Sequence, residues 1–109
     1  MTTVLPEIDD AVVDRLEPLY DLILLDDNDH TYDYVVEMLV KILSISEAAA
    51  FRHAVEVDEE GRTRLLTASF EEVQAKCQQV RNYGADWRLE RSQGSMSAII
   101  EPAGPCQPS

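Results

Sequence analysis

The sequence predicts an α+β domain in which three helices pack on one face of a small antiparallel three-stranded sheet. Three short stretches run apolar or alternate in the manner of strands, and three longer stretches repeat apolar residues every three or four positions in the manner of helices. Their order along the chain is β-α-α-β-α-β. Because two helices follow one another between the first two strands, we expect the helices to gather on one side of the sheet.

An acidic turn joins the first strand to the first helix. Residues 20–25 contain the run Leu-Ile-Leu-Leu, which suits a buried strand. The Asp-Asp-Asn-Asp segment at 26–29 favours a turn because short polar side chains bond their own backbone. A helix is predicted over 32–43, with Thr31 or Asp29 as its N-cap. Its apolar face is predicted from helical spacing to comprise Val35, Met38, Leu39 and Ile42.

The second helix and the second strand follow closely. Ser46 is the predicted N-cap of a helix that runs to about residue 59, and Gly61 is predicted to end it in the left-handed conformation. The side chains that this helix is expected to bury are Ala50, Phe51, Ala54, Val55 and Val57. Residues 62–68 place two leucines between two threonines, which suits a strand.

A capping box opens the third helix. Ser69 is followed three residues later by Glu72, a pair that satisfies the first helical N–H groups, and Gly84 is expected to end the helix. The predicted apolar stripe comprises Phe70, Val73, Cys77 and Val80. After a loop that contains two arginines, residues 95–100 alternate in hydrophobicity and are predicted to form the third strand.

The 109 residues suffice for one hydrophobic core. Residues 1–19 are polar and acidic and contain two prolines, so we expect a flexible N-terminal arm, followed by a core domain at 20–102 and a disordered tail at 103–109. The N-terminus lacks a basic region followed by an apolar run, and no apolar run reaches membrane-spanning length. The expected location is therefore the cytoplasm, without membrane contact.

The acidic composition limits the possible partners. The net charge is -12, from 21 acidic and 9 basic residues. Such a surface repels nucleic acid and anionic membranes, and it attracts a protonated amine or a basic protein surface. Cys77 and Cys106 are far apart and do not have zinc-binding spacing, so neither a disulfide framework nor a bound metal is predicted, and no cofactor is expected.

The acidic turn and the helix after it carry a resemblance to a known family. The segment LLDDNDHT at 24–31, followed by YVVEML at 34–39, resembles the I-L-x-N-D-D-x-T turn and F-V-(I/V)-(D/E)-x-L helix of the ClpS adaptors. The similarity covers about residues 20–101 and has no gap from Tyr34 to Lys76. ClpS proteins bind substrates by a free N-terminal residue, the N-degron, and deliver them to the Clp AAA+ protease. The resemblance thus implies a non-enzymatic adaptor whose partners are N-degron substrates and the N-terminal domain of a Clp chaperone.

The resemblance also implies an amine-binding site at the acidic turn. The family's turn is one residue shorter than this one, so two registers are open. Anchored on Thr31, the family's N-D-D triplet falls on Asp27, Asn28 and Asp29. Counted back from the helix, it falls on Asp26, Asp27 and Asn28. We favour the first register because Thr31 then keeps its place. The family histidine that assists falls on Asp58, whose carboxylate can accept a hydrogen bond from an ammonium group.

Two further sets of residues follow from the resemblance. The pocket for the first side chain of the substrate would be lined by Thr31, Tyr32, Val35, Ala54, Val57 and Met96. Two family methionines are replaced by Tyr32 and Ala54, which predicts a pocket of different shape. The residues that the family presents to the chaperone correspond to Glu71 and Lys76, and both are retained in type.

Two other functions compete with the adaptor hypothesis. A regulator that binds the chaperone's N-terminal domain without recognising N-degrons would still use Glu71 and Lys76. A small metal-dependent enzyme would instead use the acidic turn, through Asp27, Asp29, His30 and Asp58. Against this enzyme, spacing alone favours a solvated turn with a helix cap, and both His30 and His53 are expected to be exposed.

Overall fold

The three strands and three helices follow one another in the predicted order. A computed structural model of the protein describes residues 18–27, 30–86 and 94–104. The elements are β1 (Leu19–Leu25), α1 (Tyr32–Leu43), α2 (Glu47–Glu60), β2 (Arg62–Ser69), α3 (Phe70–Arg81) and β3 (Ala98–Pro102). Most of the predicted N-terminal arm and of the predicted tail lies outside the described residues, so the division into arm, core and tail stays a prediction.

The strands form one sheet in the order β2-β1-β3, and both pairings are antiparallel. In the central strand, Leu22 pairs with Leu66 on one side and with Ile100 on the other. The register of β1 against β2 shifts between Leu22 and Ile23, which marks a β-bulge. The α+β class and the antiparallel three-stranded sheet are thus confirmed.

The core lies between the sheet and the helices. Leu22 and Leu24 of β1 are fully buried, together with Met38 and Leu39 of α1 and Val73 of α3. The fully apolar strand run and the helical stripes therefore meet as the periodicity predicts. In the described part of the chain, no helix is long and apolar enough to cross a membrane.

The predicted helix caps are confirmed. The hydroxyl of Thr31 accepts a hydrogen bond from the Tyr34 N–H at 3.1 Å, which decides between the two candidate caps of α1. The hydroxyls of Ser46 and Ser69 cap α2 and α3 in the same way. Gly61 ends α2 with a φ of 86°, a conformation that glycine adopts without steric cost.

The third strand was predicted at the wrong bounds. It covers Ala98–Pro102 instead of 95–100 because β1 pairs with it only from Tyr20 to Leu24. The preceding segment turns towards the acidic turn, where the Ser97 carbonyl accepts a hydrogen bond from the Leu25 N–H at 3.0 Å. A proline can end β3 because this strand lies at an edge of the sheet.

The third helix ends earlier than predicted. Its last residue is Arg81, and the next N–H group, that of Asn82, bonds back to the Gln78 carbonyl as a C-cap. Gly84 adopts a φ of 110° three residues beyond the helix, so it shapes the following loop and does not cap α3.

Two aromatic residues that were expected in the core are exposed. Phe51 is 50% exposed and Phe70 is 44% exposed. Phe51 packs edge-on against Tyr32, with ring centroids 5.7 Å apart, and Phe70 packs in the same way against Tyr20 at 5.2 Å. Helical spacing shows which side of a helix is apolar, and both rings lie at the solvent-exposed edge of that side. The prediction that Val55 is buried was also wrong, since it is only half-buried.

Candidate functional site

The acidic turn begins between the two edge strands. The Leu25 N–H donates to the Ser97 carbonyl, and the Asp26 N–H donates to the Gly61 carbonyl, each at 3.0 Å. The backbone at the end of β1 is thereby held on both sides. Loops held by rigid elements in this way are common positions for binding residues.

His30 connects the turn to the segment before β3. Its Nδ1 lies 2.8 Å from Asp27 Oδ1, and its Nε2 lies 2.7 Å from the Gly94 carbonyl oxygen. The ring also packs on Tyr34, with centroids 4.5 Å apart, and only 3% of the side chain is exposed. The prediction that His30 is exposed was therefore wrong. Its partner Gly94 is 64 residues away in the chain, so local sequence gave no signal for this contact.

Both partners of the His30 ring are hydrogen-bond acceptors. A carbonyl oxygen accepts only, and so does an ionised carboxylate. A ring nitrogen that carries a hydrogen can donate to either of them. The arrangement therefore orients the Asp27 carboxylate within the turn.

Asp86 holds the N-terminus of α1 from the other side. It is 1% exposed, and its Oδ2 accepts a hydrogen bond from the Thr31 N–H at 2.7 Å. A carboxylate near the first turn of a helix is stabilised by the helix dipole and by the unpaired N–H groups there. Tyr34 donates its hydroxyl proton to the Gly84 carbonyl, which fastens α1 to the same loop. Sequence reasoning missed Asp86, because a lone acid in a loop has no local pattern that indicates burial.

Tyr32 and Asp58 are joined at the edge of the two-helix pair. The Tyr32 hydroxyl donates to Asp58 Oδ2 at 2.7 Å, and Tyr32 itself is 38% exposed. This hydrogen bond raises the pKa of Tyr32 above its ordinary value. An ordinary phenol is already protonated at neutral pH, so Tyr32 is a donor there. Asp58 thus lies beside a residue that was predicted to line the side-chain pocket.

The acids at this end of the molecule influence one another. Desolvation of its carboxyl, and next the negative charge of Asp58, raise the pKa of Asp26 above its ordinary value. Both causes disfavour the charged form of the carboxyl group. The Asp26 N–H, which donates to the Gly61 carbonyl directly after α2, places the start of the acidic turn near the end of that helix. Asn28 and Asp29, the other two predicted amine-binding residues, lie outside the described residues.

Four of the six residues predicted to line the pocket are buried in the core. Val35, Ala54, Val57 and Met96 are each 4% exposed or less and belong to one core cluster. Thr31 is half-buried and Tyr32 is exposed. The apolar side chains are therefore in contact with the main core, and Tyr32 is the member of the set that solvent reaches most.

The two residues predicted to bind the chaperone are both on α3 but face different directions. Glu71 is exposed in the first turn of the helix. Lys76 is half-buried, and its Nζ donates to the Ile42 carbonyl at the end of α1, at 2.7 Å. Five residues of helix separate them by roughly 140° around the axis. Lys76 therefore has a structural contact of its own, since a cation favours the negative end of α1.

His53 belongs to a separate network on the outside of α2. Its Nδ1 lies 2.9 Å from the Thr63 hydroxyl oxygen, and this hydroxyl donates to Glu56. His53 is half-buried, which corrects the prediction that it is exposed, and burial lowers its pKa below the ordinary value. Within residues 18–27, 30–86 and 94–104, no three acidic, histidine or cysteine side chains come together as metal ligands.

Comparisons with known proteins identify the family. The family model described as ATP-dependent Clp protease adaptor protein ClpS matches residues 15–88. Among curated proteins, none matches the chain. A solved structure of Agrobacterium tumefaciens ClpS2 bound to L-phenylalaninamide is similar to this chain, with a TM-score of 0.70 and 17% sequence identity. The alignment covers 80% of this chain and 99% of that one, which shows that the fold is shared. Because the family model covers more than half of the sequence, the chain belongs to the ClpS family of Clp protease adaptor proteins.

Proposed function

We propose that this chain is an adaptor that binds substrates by a free N-terminal residue and delivers them to the N-terminal domain of a Clp AAA+ chaperone. The observation that carries the proposal is the position of Asp58. Its carboxylate accepts a hydrogen bond from Tyr32, the exposed member of the proposed pocket, and its charge acts on Asp26 at the acidic turn. A negative, multi-acceptor site beside apolar side chains suits an ammonium group that is followed by a large apolar residue.

The proposed amine site consists of Asp27, Asn28 and Asp29, with Asp58 in the place of the family histidine. A carboxylate accepts a hydrogen bond from an ammonium group with charge assistance, which is stronger than a bond between neutral groups. The bond between Asp27 and His30 supports this role because it fixes the direction of one acceptor. Acetylation of the substrate's amine would remove its charge and its additional donors.

The first side chain of the substrate would enter between α1 and α2. Thr31, Tyr32, Val35, Ala54, Val57 and Met96 would surround it. Tyr32 is the exposed member, so its ring would have to move aside for an apolar side chain to reach the buried members. Burial of one large side chain there would contribute about 1.5–3 kcal/mol of binding free energy. This contribution would favour substrates whose first residue is large and apolar.

Glu71 and Lys76 would form the contact with the chaperone, and the N-terminal arm would engage the chaperone during delivery. Glu71 supports this role because it is exposed on α3. Lys76 would contribute partly through its contact with the end of α1, which holds α3 in position.

Fluorescence polarisation tests the proposal. Labelled peptides that begin with Phe, Leu, Trp or Tyr are compared with their N-acetylated counterparts on the native chain, Asn28→Ala and Asp58→Ala. We expect micromolar or tighter binding that is lost on acetylation and weakened in both variants. If no peptide with a free N-terminus binds, the N-degron hypothesis is wrong.

One observation favours a regulator as the second candidate. The described carboxylates of the proposed amine site already have partners, since Asp27 bonds His30 and Asp58 accepts from Tyr32. A chain of this kind can bind the chaperone without binding N-degrons. Binding of the isolated chaperone N-terminal domain, weakened by Glu71→Ala while no free N-terminal peptide binds, would establish the regulator.

A further inference from the structure

Two hydrogen bonds flank the acidic turn and join it to the chain that follows α3. On the β1 side, the Leu25 N–H donates to the Ser97 carbonyl at 3.0 Å. On the α1 side, the Thr31 N–H donates to Asp86 Oδ2 at 2.7 Å. The first contact joins two backbone groups, whereas the second depends on a side chain. Asp86 is therefore the position at which one side chain determines how an end of the turn is held.

The segment that carries Asp86 has contacts of its own. The Gly84 N–H donates to the Ser95 hydroxyl oxygen at 2.6 Å, and the Gly84 carbonyl accepts from the Tyr34 hydroxyl. Gly84 is thus joined both to the segment before β3 and to α1. Because Gly84 lies two residues before Asp86, the backbone from which the carboxylate extends is fixed relative to Thr31.

Burial restricts the Asp86 side chain further. Asp86 is 1% exposed, and among the acids that the structure describes it is the only one that is buried. A carboxylate in such a place is costly unless it accepts hydrogen bonds, and the Thr31 N–H provides one. Since close packing confines a buried side chain, its oxygen defines where the bonded N–H can lie.

Thr31 connects this contact with the acceptors of the turn. Its hydroxyl accepts from the Tyr34 N–H at 3.1 Å, so Thr31 also fixes where α1 starts. The residue before it is His30, whose Nδ1 lies 2.8 Å from Asp27 Oδ1. Asp27 is one of the proposed amine-binding residues. A displacement of the Thr31 backbone would therefore displace His30, and with it the orientation of this acceptor.

We infer that Asp86 is a positioning residue for binding of the substrate's α-amino group. It does not touch the substrate but holds the acidic turn at Thr31, so that the acceptors on the turn keep the direction that an ammonium group requires. This role rests on the proposed N-degron function. Hydrogen bonds depend strongly on distance and angle, so a turn that has lost its contact with Asp86 is a poorer set of acceptors.

Two substitutions of Asp86 separate its hydrogen bond from its charge. Asp86→Asn is uncharged but keeps an acceptor oxygen at the same distance from the backbone, whereas Asp86→Ala keeps neither. Isothermal titration calorimetry measures the affinity for a peptide that begins with Phe and for L-phenylalaninamide. We expect Asp86→Ala to lose about three- to tenfold in affinity for both ligands, which is the effect of one hydrogen bond of ordinary strength. Asp86→Asn should stay within about twofold of the native chain, because the acceptor remains.

A destabilised core variant provides the matched control. Val73 is fully buried on α3, so Val73→Ala lowers the stability of the protein while the hydrogen bond of Asp86 remains. Unfolding reduces the apparent affinity only by the fraction of molecules that remain folded, and circular dichroism at the assay temperature gives that fraction. After this correction, we expect Val73→Ala to bind both ligands like the native chain.

A second variant is available if Asp86→Ala does not fold. Asp86→Ser carries a hydroxyl oxygen one bond closer to the backbone than the carboxylate oxygen, so it falls short of the Thr31 N–H. We expect it to lose affinity by the same factor as Asp86→Ala.

Each outcome decides between the two hypotheses. If the native chain binds both ligands and the variant without the contact binds them equally well, the positioning role is wrong and the N-degron proposal stands. The role is also wrong if Asp86→Asn loses as much affinity as that variant, or if Val73→Ala does. If the native chain binds neither ligand, the N-degron proposal fails, and the positioning role fails with it.

Discussion

The Tyr32 hydroxyl donates a hydrogen bond to Asp58 Oδ2 at 2.7 Å, and both residues stand at positions that ClpS resemblance associates with ligand binding. The bond joins the first residue of α1 to the last turns of α2. Val35, Ala54 and Val57, three other members of the proposed pocket, are buried on the same two helices. A substrate amine would compete with the phenol for the same carboxylate.

Removal of the Tyr32 hydroxyl is therefore expected to strengthen N-degron binding. In Tyr32→Phe, Asp58 loses the donor with which an incoming ammonium group has to compete, while the ring remains. We expect the affinity for a peptide with an N-terminal Leu to rise by about two- to tenfold, which is the range that one hydrogen bond of ordinary strength covers. Fluorescence polarisation measures the change.

Tyr83→Phe provides the matched control for this substitution. Tyr83 packs edge-on against Tyr34, with centroids 5.4 Å apart, away from Asp58. Its variant should bind the peptide like the native chain. An unchanged or lower affinity of Tyr32→Phe would contradict the idea that the phenol and the amine compete.

Asp86 is expected to be one of the larger polar contributors to stability. In Asp86→Ala, the Thr31 N–H at the start of α1 loses a hydrogen-bond acceptor at a site that is 1% exposed. Such a loss costs about 1–3 kcal/mol of the free energy of unfolding. Urea denaturation of the two proteins measures the difference.

Asp33→Ala tests whether this effect arises from burial or only from the helix dipole. Asp33 is also an acid near the N-terminus of α1, but it is exposed. Its removal should cost less than about 1 kcal/mol. Similar losses of unfolding free energy in both variants would show that burial does not strengthen the contribution of the Asp86 hydrogen bond.

The secondary structure could be predicted because its signals are local. Thr31, Ser46 and Ser69 precede apolar periodic stretches, and Gly61 follows one, so each helix start and one helix end were readable. The bounds of β3 were not, because they depend on which residues of β1 lie opposite. The exposure of Phe51 was also not predicted. Periodicity shows which side of a helix is apolar, but it does not show how much of that side the neighbouring elements cover.

For the site, the sequence predicted which residues take part but not how they contact one another. The resemblance assigned Tyr32 and Asp58 to the site separately. They are 26 residues apart in the chain, and their hydrogen bond depends on the packing of α1 against α2. The contact of His30 with Gly94 and that of Thr31 with Asp86 bridge 64 and 55 residues. Tertiary contacts of this kind leave no periodic or motif signal in a single sequence.

His30 and Asp27 are expected to be energetically coupled. His30→Phe keeps a ring against Tyr34 but removes both hydrogen bonds of the imidazole. We expect this variant to lower the free energy of unfolding by about 1–3 kcal/mol, because it removes two hydrogen bonds that are each worth about 0.5–1.5 kcal/mol. In a double-mutant cycle with Asp27→Ala, the coupling energy should reach at least about 0.5 kcal/mol. Additive effects of the two substitutions would show that the contact between His30 and Asp27 contributes nothing to stability.

His53 is expected to make the protein less stable in mild acid. Its pKa is lowered by burial, so the unfolded chain takes up a proton at a higher pH than the folded chain does. The neutral side chain therefore contributes stability that is fully present above the unfolded value of about 6.5 and is lost as the pH falls through that value towards the folded pKa. His53→Gln cannot titrate in this range, and its amide can still donate to Thr63. Thermal unfolding between about pH 7.5 and about pH 5 should show the native protein losing more of its melting temperature than the variant, and parallel profiles would refute the assignment.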